Sequence, residues 1–395
     1  MSKKILIATI MRPEGGTGVQ THFRIFMAYL NKARQQCDLL TPFDAPLWLV
    51  YPMFGLRKLV NLFNLETGVW WYRYWHACFL QMALKRRLKS GSECVVYAQC
   101  PLSAQAALKA RVSRNQTVVM VTHFNISQAD EWVGKGLISK GGQFYRAIQT
   151  FEAEILPQLD GLVFVSDFMR RELAGRIPAT IKVPYRIVPN FLPDPGMKAQ
   201  PTEPETDLIC IGTLEPRKNQ RFALEIVAAS LRLGRPLSLT VVGDGPDRIM
   251  LEDLSQTLGI RQQVFFAGLI NNAASFMPQH RACLHTALME SFGIVLIEAL
   301  ARGLPVFAPA VGGIPEVFEN NVEGRLIHLD EPENSARMII EWLDSPQIMN
   351  KARQAARTRF LACFEAEQVA ASLTEFLTQD SFQEQSALVT EVMAA

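Results

Sequence analysis

The sequence is short of the features that would mark several common functions. It has seven cysteines in 395 residues, Cys37, Cys78, Cys94, Cys100, Cys210, Cys283 and Cys363. They are odd in number and no two form a C-x-x-C pair, which argues against a disulfide framework and a cysteine-ligated metal site. Buried, reduced thiols are the expectation. The longest apolar-looking stretch, Pro46 to Leu56, is well short of the roughly 20 residues that span a bilayer. Met1-Ser-Lys-Lys leads into a short apolar run with no cleavage-like segment, so no secretory leader and a cytoplasmic location are expected. There is no internal repeat and no low-complexity tract. No pair of carboxylates is spaced as in a glycoside hydrolase. A full G-x-G-x-x-G is also missing. Gly16-Thr17-Gly18 is followed by Thr21, and Asp38 closes no convincing strand, which ranks a nicotinamide oxidoreductase low.

What is present is an ordinary globular composition, 49% hydrophobic and 20% charged. The net charge of +2 hides an asymmetry. Residues 1–200 hold 25 of the Lys and Arg against 13 of the Asp and Glu, and the remainder holds 15 against 25. A basic half joined to an acidic half suggests that one half meets an anionic surface or substrate. Nothing in the pattern points to nucleic acid.

Apolar runs alternate with helical periodicity in two separate blocks. Ile5–Ile10 reads as a buried strand, then come Gly15, Gly16 and Gly18, then a helix carrying Val19, Phe23, Phe26 and Leu30. Strand, glycine loop and helix open a doubly wound unit. Cys94–Ala98, Val118–Val121 and Leu162–Val165 read as further parallel strands. Five prolines between 189 and 204 interrupt the pattern, and neither a helix nor a central strand tolerates them. Strands then resume at Asp207–Ile211, Leu237–Val242, Val264–Phe266, Ala282–Leu284 and Val306–Ala308. The expected organisation is a first α/β domain over 1–188, a linker over 189–206, a second α/β domain over 207–378 and a tail over 379–395. Two such domains imply a cleft between them as the ligand site.

The most informative stretch is 285–316, HTALMESFGIVLIEALARGLPVFAPAVGGIPE. Ser291 reads as an N-cap, with a helix opening at Phe292-Gly293 and running to about Ala301, closed by Gly303 and Pro305. The positive helix end at Phe292, Gly293 and Ile294 then lies beside Glu290 and can hold a phosphate. Glu298 sits among apolar residues two turns in. Its ionised carboxyl is costly there without hydrogen-bond donors. A ribose diol would supply them, and so would a backbone or a basic side chain.

Glu290-x7-Glu298 in ESFGIVLIEALARGLPVFAPAVGGIPEVF resembles the signature of the retaining glycosyltransferases of family 4, which have the GT-B fold. Other pieces match in order: the N-terminal glycine loop, VTHFN at 121–125, DGLVFVSDFMRREL at 160–173, IGTLEPRKNQ at 211–220 and VVGDGPDR at 241–248. The resemblance covers roughly residues 4–345. It implies two Rossmann-like domains facing each other, the first binding the acceptor and the second the nucleotide sugar. It implies transfer from a UDP- or GDP-sugar to a sugar or lipid-linked sugar hydroxyl, in surface polysaccharide or glycolipid assembly, with no cofactor and no metal. Lys218 matches the family's phosphate-binding lysine. Thr213 stands where an arginine is common, and Arg217 is the candidate replacement for that charge. Glu298 would hold the ribose, Glu290 the transferred sugar, and the backbone of Phe292, Gly293 and Ile294 the sugar and phosphates. Gly15, Gly16 and Gly18 would let the first loop approach the diphosphate. His123 would sit by the transferred sugar, as Glu290 does, and these two are the catalytic candidates; His22 is a weaker one. Asn190-Phe191, His285-Thr286-Ala287 and Ser291 depart from the common pattern. A nucleotide-sugar epimerase and a non-catalytic nucleotide-sugar-binding protein remain alternatives.

Residues 46–89 mix Trp48, Tyr51, Trp70, Trp71, Tyr72, Tyr74 and Trp75 with Arg57, Lys58, Arg73, Lys85, Arg86, Arg87 and Lys89. Such a mixture suits contact with an anionic membrane surface, hence a peripheral protein whose vesicle binding falls steeply with salt. Core packing and sugar stacking are the competing readings.

Overall fold

In the computed structural model the described residues are 3–89, 93–124, 126–197 and 205–379. The chain forms two units. The first runs to Pro189 and takes up the chain again from Ala366, and the second is Asn190–Glu365.

The first unit is built on six parallel strands, β1 (Lys4–Ala8), β2 (Cys37–Leu40), β3 (Cys94–Ala98), β4 (Gln116–Thr122), β5 (Gly161–Phe164) and β6 (Tyr185–Ile187), in the order β2-β1-β3-β4-β5-β6. Every residue of β3, β4 and β5 is buried. That burial is why these strands read as unbroken apolar runs: helices cover both faces of a parallel sheet. The chain order reverses between β1 and β3, the switch point at which such sheets bind ligands.

The second unit repeats the plan with β7 (Thr206–Ile211), β8 (Leu239–Val242), β9 (Val264–Gly268), β10 (His280–Leu284), β11 (Val306–Pro309) and β12 (Gly324–Ile327), in the order β12-β11-β10-β7-β8-β9. Its switch point lies between β7 and β10. Its core joins Leu208, Phe222, Ile226, Leu239, Phe307 and Trp342.

Several sequence expectations shift. Asp38 lies inside β2 and pairs with Lys4 at 2.7 Å. The acid is thus neutralised within the sheet and does not stand free at a strand end. Residues 346–378 form two helices, Pro346–Cys363 and Ala366–Thr378, and the second belongs to the first unit, not to the one that precedes it. Its buried Val369, Ala370, Leu373 and Leu377 give it an apolar face, and its Glu367 pairs with Lys32 of the helix Gly18–Lys32. The start of the proline-rich stretch is part of the second unit. Phe191 is buried there, Leu192 N–H donates to the carbonyl of Phe364, and Asp194 pairs with Arg357. Residues 198–204 of the expected linker and 380–395 of the expected tail lie outside the described residues. Of the cysteines, Cys94, Cys210 and Cys283 are buried, whereas Cys363 is exposed.

Candidate functional site

In the second unit the loops after β7 and β10 leave the sheet on either side of its switch point. After β7 the chain makes one 3-10 turn, Pro216–Lys218, and Asn219 takes a left-handed conformation (φ 51°) before the helix Gln220–Arg232. After β10 the loop crosses to it. Leu288 N–H donates to the Arg217 carbonyl at 2.9 Å, and Thr286 Oγ1 donates to the Lys218 carbonyl at 3.1 Å. These backbone ties hold the cations against the loop that carries Glu290.

The result is a compact charge cluster. Lys218 Nζ lies 2.6 Å from Glu290 Oε2, with Arg217 Nη1 at 3.6 Å and His285 Nε2 at 3.5 Å from the same oxygen. Arg217 also donates to the Met289 carbonyl and to Glu215. Burial by itself would raise the Glu290 pKa, but the His285 contact and the Lys218 charge outweigh it and hold the carboxyl well below the usual range. Glu290 is therefore ionised at neutral pH. His285 is pushed down by burial and by Lys218 and Arg217, despite Glu290, so its ring is neutral there.

The next helix starts later than its sequence suggests. Gly293, at φ 92°, is the N-cap, and the helix is Ile294–Ala301. Ser291 is not the cap, because the left-handed turn at Gly293 redirects the chain first. The first helical N–H groups belong to Ile294 and Val295 and have no intrahelical acceptor. Phe292 points into the core, edge-on to Phe364 at 5.8 Å. Its backbone, not its ring, is what remains for a ligand.

Glu298 sits one turn further on. A helical side chain leans toward the helix N-terminus, which brings this carboxyl toward the same end. Burial raises its pKa to about 7, only partly opposed by Arg302. Among the described residues it accepts no hydrogen bond, and Arg302 donates to its backbone carbonyl instead.

Two features of this site were given no role from the sequence. One is His285, a polar residue immediately after an apolar strand. The other is the glycine pair after β11. Gly312 has φ 57°, and a Cβ there would lie 1.9 Å from the Glu290 carbonyl oxygen, which Gly313 N–H bonds at 3.0 Å. Only glycine fits so close an approach. Doubled glycines following a strand were the available signal.

His123 follows β4 in the first unit, so the structure places it and Glu290 in different units. Burial, with His22 adding to it, holds its pKa well below the usual value, and its ring meets His22 edge-on at 4.7 Å. His22 contacts Tyr97 Oη at 3.0 Å. In the glycine loop the space beside Gly15 is filled by the protein itself. Its Cβ would lie 2.2 Å from Gln20 Oε1, and the Gln20 amide donates to the carbonyls of Arg12 and Glu14. Gly15 is thus explained by Gln20, whereas Gly16 and Gly18 face open space.

The 46–89 segment is a helical hairpin, Leu47–Phe63 and Leu65–Arg87. Its rings divide. Trp71, Tyr72 and Trp75 pack inward, and Trp71 Nε1 donates to the Met53 carbonyl at 2.7 Å. Trp48, Tyr51, Leu59, Leu62, Phe63, Trp70 and Tyr74 are exposed, Trp48 by 75% and Phe63 by 91%. A helix apolar on every side is normally buried, and this one is open on one side. Of the basic residues, Lys58 is exposed next to Leu59 on this stretch, and others are placed elsewhere. Arg73 is buried and donates to Gln128. Lys85 is 15 positions beyond Trp70, about 22 Å along a helix, and Arg86, Arg87 and Lys89 line a pocket with Lys4 at the N-terminal edge of β1. No described helix is long and apolar enough to cross a membrane. Among the described residues no three His, Cys, Asp or Glu gather as a metal site requires.

The family model described as Glycosyltransferase Family 4 matches residues 16–193, and that described as Glycosyl transferases group 1 matches 197–359. The N-acetyl-alpha-D-glucosaminyl L-malate synthase of Bacillus anthracis is 32% identical over 33% of this chain and 34% of its own length. The GDP-mannose-dependent alpha-(1-6)-phosphatidylinositol monomannoside mannosyltransferase of Mycobacterium tuberculosis is 27% identical over 56% of this chain and 62% of its own. The matched stretches thus span from a third to under two thirds of those relatives. Among solved structures, sucrose-phosphate synthase from Thermosynechococcus elongatus aligns with a TM-score of 0.73 at 18% identity, over 98% of this chain and 100% of that one. Anabaena HepE with UDP and glucose aligns with a TM-score of 0.68 at 17% identity, over 95% and 100%. Both likenesses bear on the fold.

Proposed function

The chain belongs to the family 4 glycosyltransferases of the GT-B fold, and from that premise we propose that it transfers a sugar from a nucleoside diphosphate donor to an acceptor hydroxyl, with retained anomeric configuration and without a metal ion. The observation that carries the reading is the convergence of Arg217, Lys218 and a helix N-terminus on Glu290 at the switch point of the second unit.

In this reading the departing diphosphate is stabilised by the two cations and the Ile294 and Val295 N–H groups, all fixed before the donor arrives. The bond from the anomeric carbon to the diphosphate oxygen breaks on the face where the acceptor oxygen attaches. The acceptor proton passes to the leaving phosphate oxygen. Glu290 is held ionised by Lys218 and His285, which suits it to accept hydrogen bonds from sugar hydroxyls and not to deliver a proton. Lys218 Nζ has three N–H donors, so it can serve Glu290 and a phosphate together. Glu298 accepts the ribose diol, and the diol supplies the donors that the carboxyl lacks.

The acceptor belongs to the first unit. The exposed face from Trp48 to Phe63 sits in the interface of a membrane, and the acceptor is a lipid-linked or membrane-surface sugar, as in surface polysaccharide or glycolipid assembly. The nearby relatives named for phosphatidylinositol mannoside and L-malate support acceptors of anionic character.

The test is a thermal-shift screen of UDP- and GDP-sugars, with and without divalent metal, on the protein and on Lys218→Ala. A donor that binds raises the midpoint by mass action. Lys218→Ala is expected to cut affinity and transfer by about tenfold or more, the loss of one charge-assisted hydrogen bond. Equal binding by both proteins would reject the site.

A further inference from the structure

The first unit contains a cavity of about 380 Å³ that the donor chemistry does not use. That is within the range of small-molecule sites. It opens beyond the C-terminal end of β1, at that sheet's switch point, and is walled by Ile10, Met11 and the helical hairpin. Four rings run along it in contact: Phe43 on Phe54 at 5.5 Å, Phe54 stacked on His76 at 4.0 Å, and His76 on Tyr72 at 3.9 Å. A guanidinium covers each end of this row. Arg12 lies 5.0 Å over Phe43, and Arg57 lies 4.7 Å over Tyr72.

Neither guanidinium makes an ion pair or a side-chain hydrogen bond among the described residues. For exposed Arg12 that is ordinary. For Arg57 it is not, because its Nε is buried and donates to nothing. A buried donor without an acceptor costs about 1–3 kcal/mol, and an arginine offers five N–H groups in a fixed fork. One acid, Glu14, also lines the cavity, so the two arginines leave it net positive. His76 adds no charge. Burial is the main cause that lowers its pKa to about 4, with Arg57 contributing, and its Nδ1 is taken by the Tyr72 carbonyl at 2.8 Å.

We propose that this cavity binds the phosphate ester of the acceptor, with Arg57 gripping the oxyanion and the rings Phe43, Phe54 and Tyr72 packing the polyol or sugar that carries it. The proposal rests on the transferase reading, which requires an acceptor but does not say what it is. A planar fork stacked on a ring suits a phosphate with several oxygens, because the stack fixes the orientation while leaving the N–H edges available. The ester has two possible sources. It belongs either to a soluble sugar or polyol phosphate or to a phospholipid headgroup. In the second case the exposed Trp48–Phe63 face, on the same helix as Arg57, would lie at the acyl boundary.

Calorimetric titration separates these outcomes. Glycerol 3-phosphate probes the soluble source, and vesicles of phosphatidylglycerol against phosphatidylcholine probe the lipid. Each is run on the full chain, Arg57→Ala and Arg57→Lys, with UDP titrated in parallel. At least one phosphate arm is expected to weaken about tenfold in Arg57→Ala, the worth of one charged hydrogen bond. Arg57→Lys should recover only part, because it restores charge without the fork. UDP binding should be equal in all three. Should Arg57→Ala lose UDP binding through misfolding, Arg57→Gln, which keeps the stem over Tyr72, carries the same comparison. If neither phosphate arm responds to Arg57, the proposal is overturned. If wild type fails to bind UDP while its phosphate binding depends on Arg57, the cavity assignment stands and the donor-site reading falls.

Discussion

Replacing Glu298 by glutamine should make the empty protein more stable and its nucleotide binding weaker. The carboxyl is displaced from its ordinary 4.5 to about 7, chiefly by burial. Below 4.5 it is protonated whether the chain is folded or not, and it costs nothing. As pH rises toward 7 the unfolded chain ionises freely and the folded chain does not, so wild-type stability falls. Above about 7 the folded chain carries the charge at full penalty, about 3 kcal/mol by linkage. At pH 5 the same linkage leaves only about 1 kcal/mol. Glutamine has the shape of the acid and never ionises.

The measurement is the difference in thermal midpoint between Glu298→Gln and wild type from pH 5 to pH 8. With about 2–4 °C per kcal/mol for a unit of this size, the variant's advantage should widen by several degrees over that range. In the presence of UDP the order reverses in the ligand-induced shift. A carboxylate offers an ionised oxygen to each ribose hydroxyl, whereas the amide offers one neutral oxygen, so the variant should bind about 5- to 30-fold more weakly. A flat difference across pH would refute the buried, unpartnered state assigned to this carboxyl. A rising difference with an unchanged UDP shift would leave the electrostatics intact and remove the ribose from Glu298.

Two glycines should respond in opposite senses. Gly312→Ala forces a Cβ against the Glu290 carbonyl in a left-handed conformation, so it should lower stability by about 1–3 kcal/mol and weaken UDP binding. Gly55→Ala, inside the helix Leu47–Phe63 where nothing lies within 4 Å, should raise stability by about 0.5–1 kcal/mol. Unfolding curves of the two variants would show both. At the hairpin, Phe63→Ser and Leu62→Ser should reduce vesicle sedimentation, because both side chains are exposed on the face proposed to meet the membrane. Unchanged sedimentation of both variants would remove that face from the interaction.

Much of the candidate site in the second unit was legible because its parts are local. Strand β10, the loop through Glu290 and the helix through Glu298 follow one another within twenty-odd residues, and each carries its own signal in apolar runs, glycine and proline. Lys218 comes from a loop some seventy positions away, and only the family resemblance linked it to Glu290. The sheet explains the link: β7 and β10 are neighbours although β8 and β9 lie between them in the sequence. The helix start was misplaced because Gly293 adopts positive φ, and a residue's sign of φ leaves no trace in polarity. Strands β2, β6 and β12 were missed for a related reason. Their residues are partly exposed, being at or next to sheet edges, so they lack the continuous apolar run by which the central strands announce themselves.

The hairpin shows where composition misleads. Counting aromatic and basic residues over 46–89 suggests one mixed surface, but a helix sorts side chains by angle and by height. Angle sends Trp71, Tyr72 and Trp75 inward and leaves Trp70 and Tyr74 outside. Height carries Arg86 and Arg87 to the N-terminal edge of β1. What remains near the exposed rings is Lys58, and Arg57 turned toward the cavity. The basic residues of the hairpin therefore do not form one field. Arg86, Arg87 and Lys89 gather with Lys4 at the N-terminal edge of β1, whereas Arg57 joins Arg12 in the cavity beyond the other end of that strand, the end at which α/β units bind ligands.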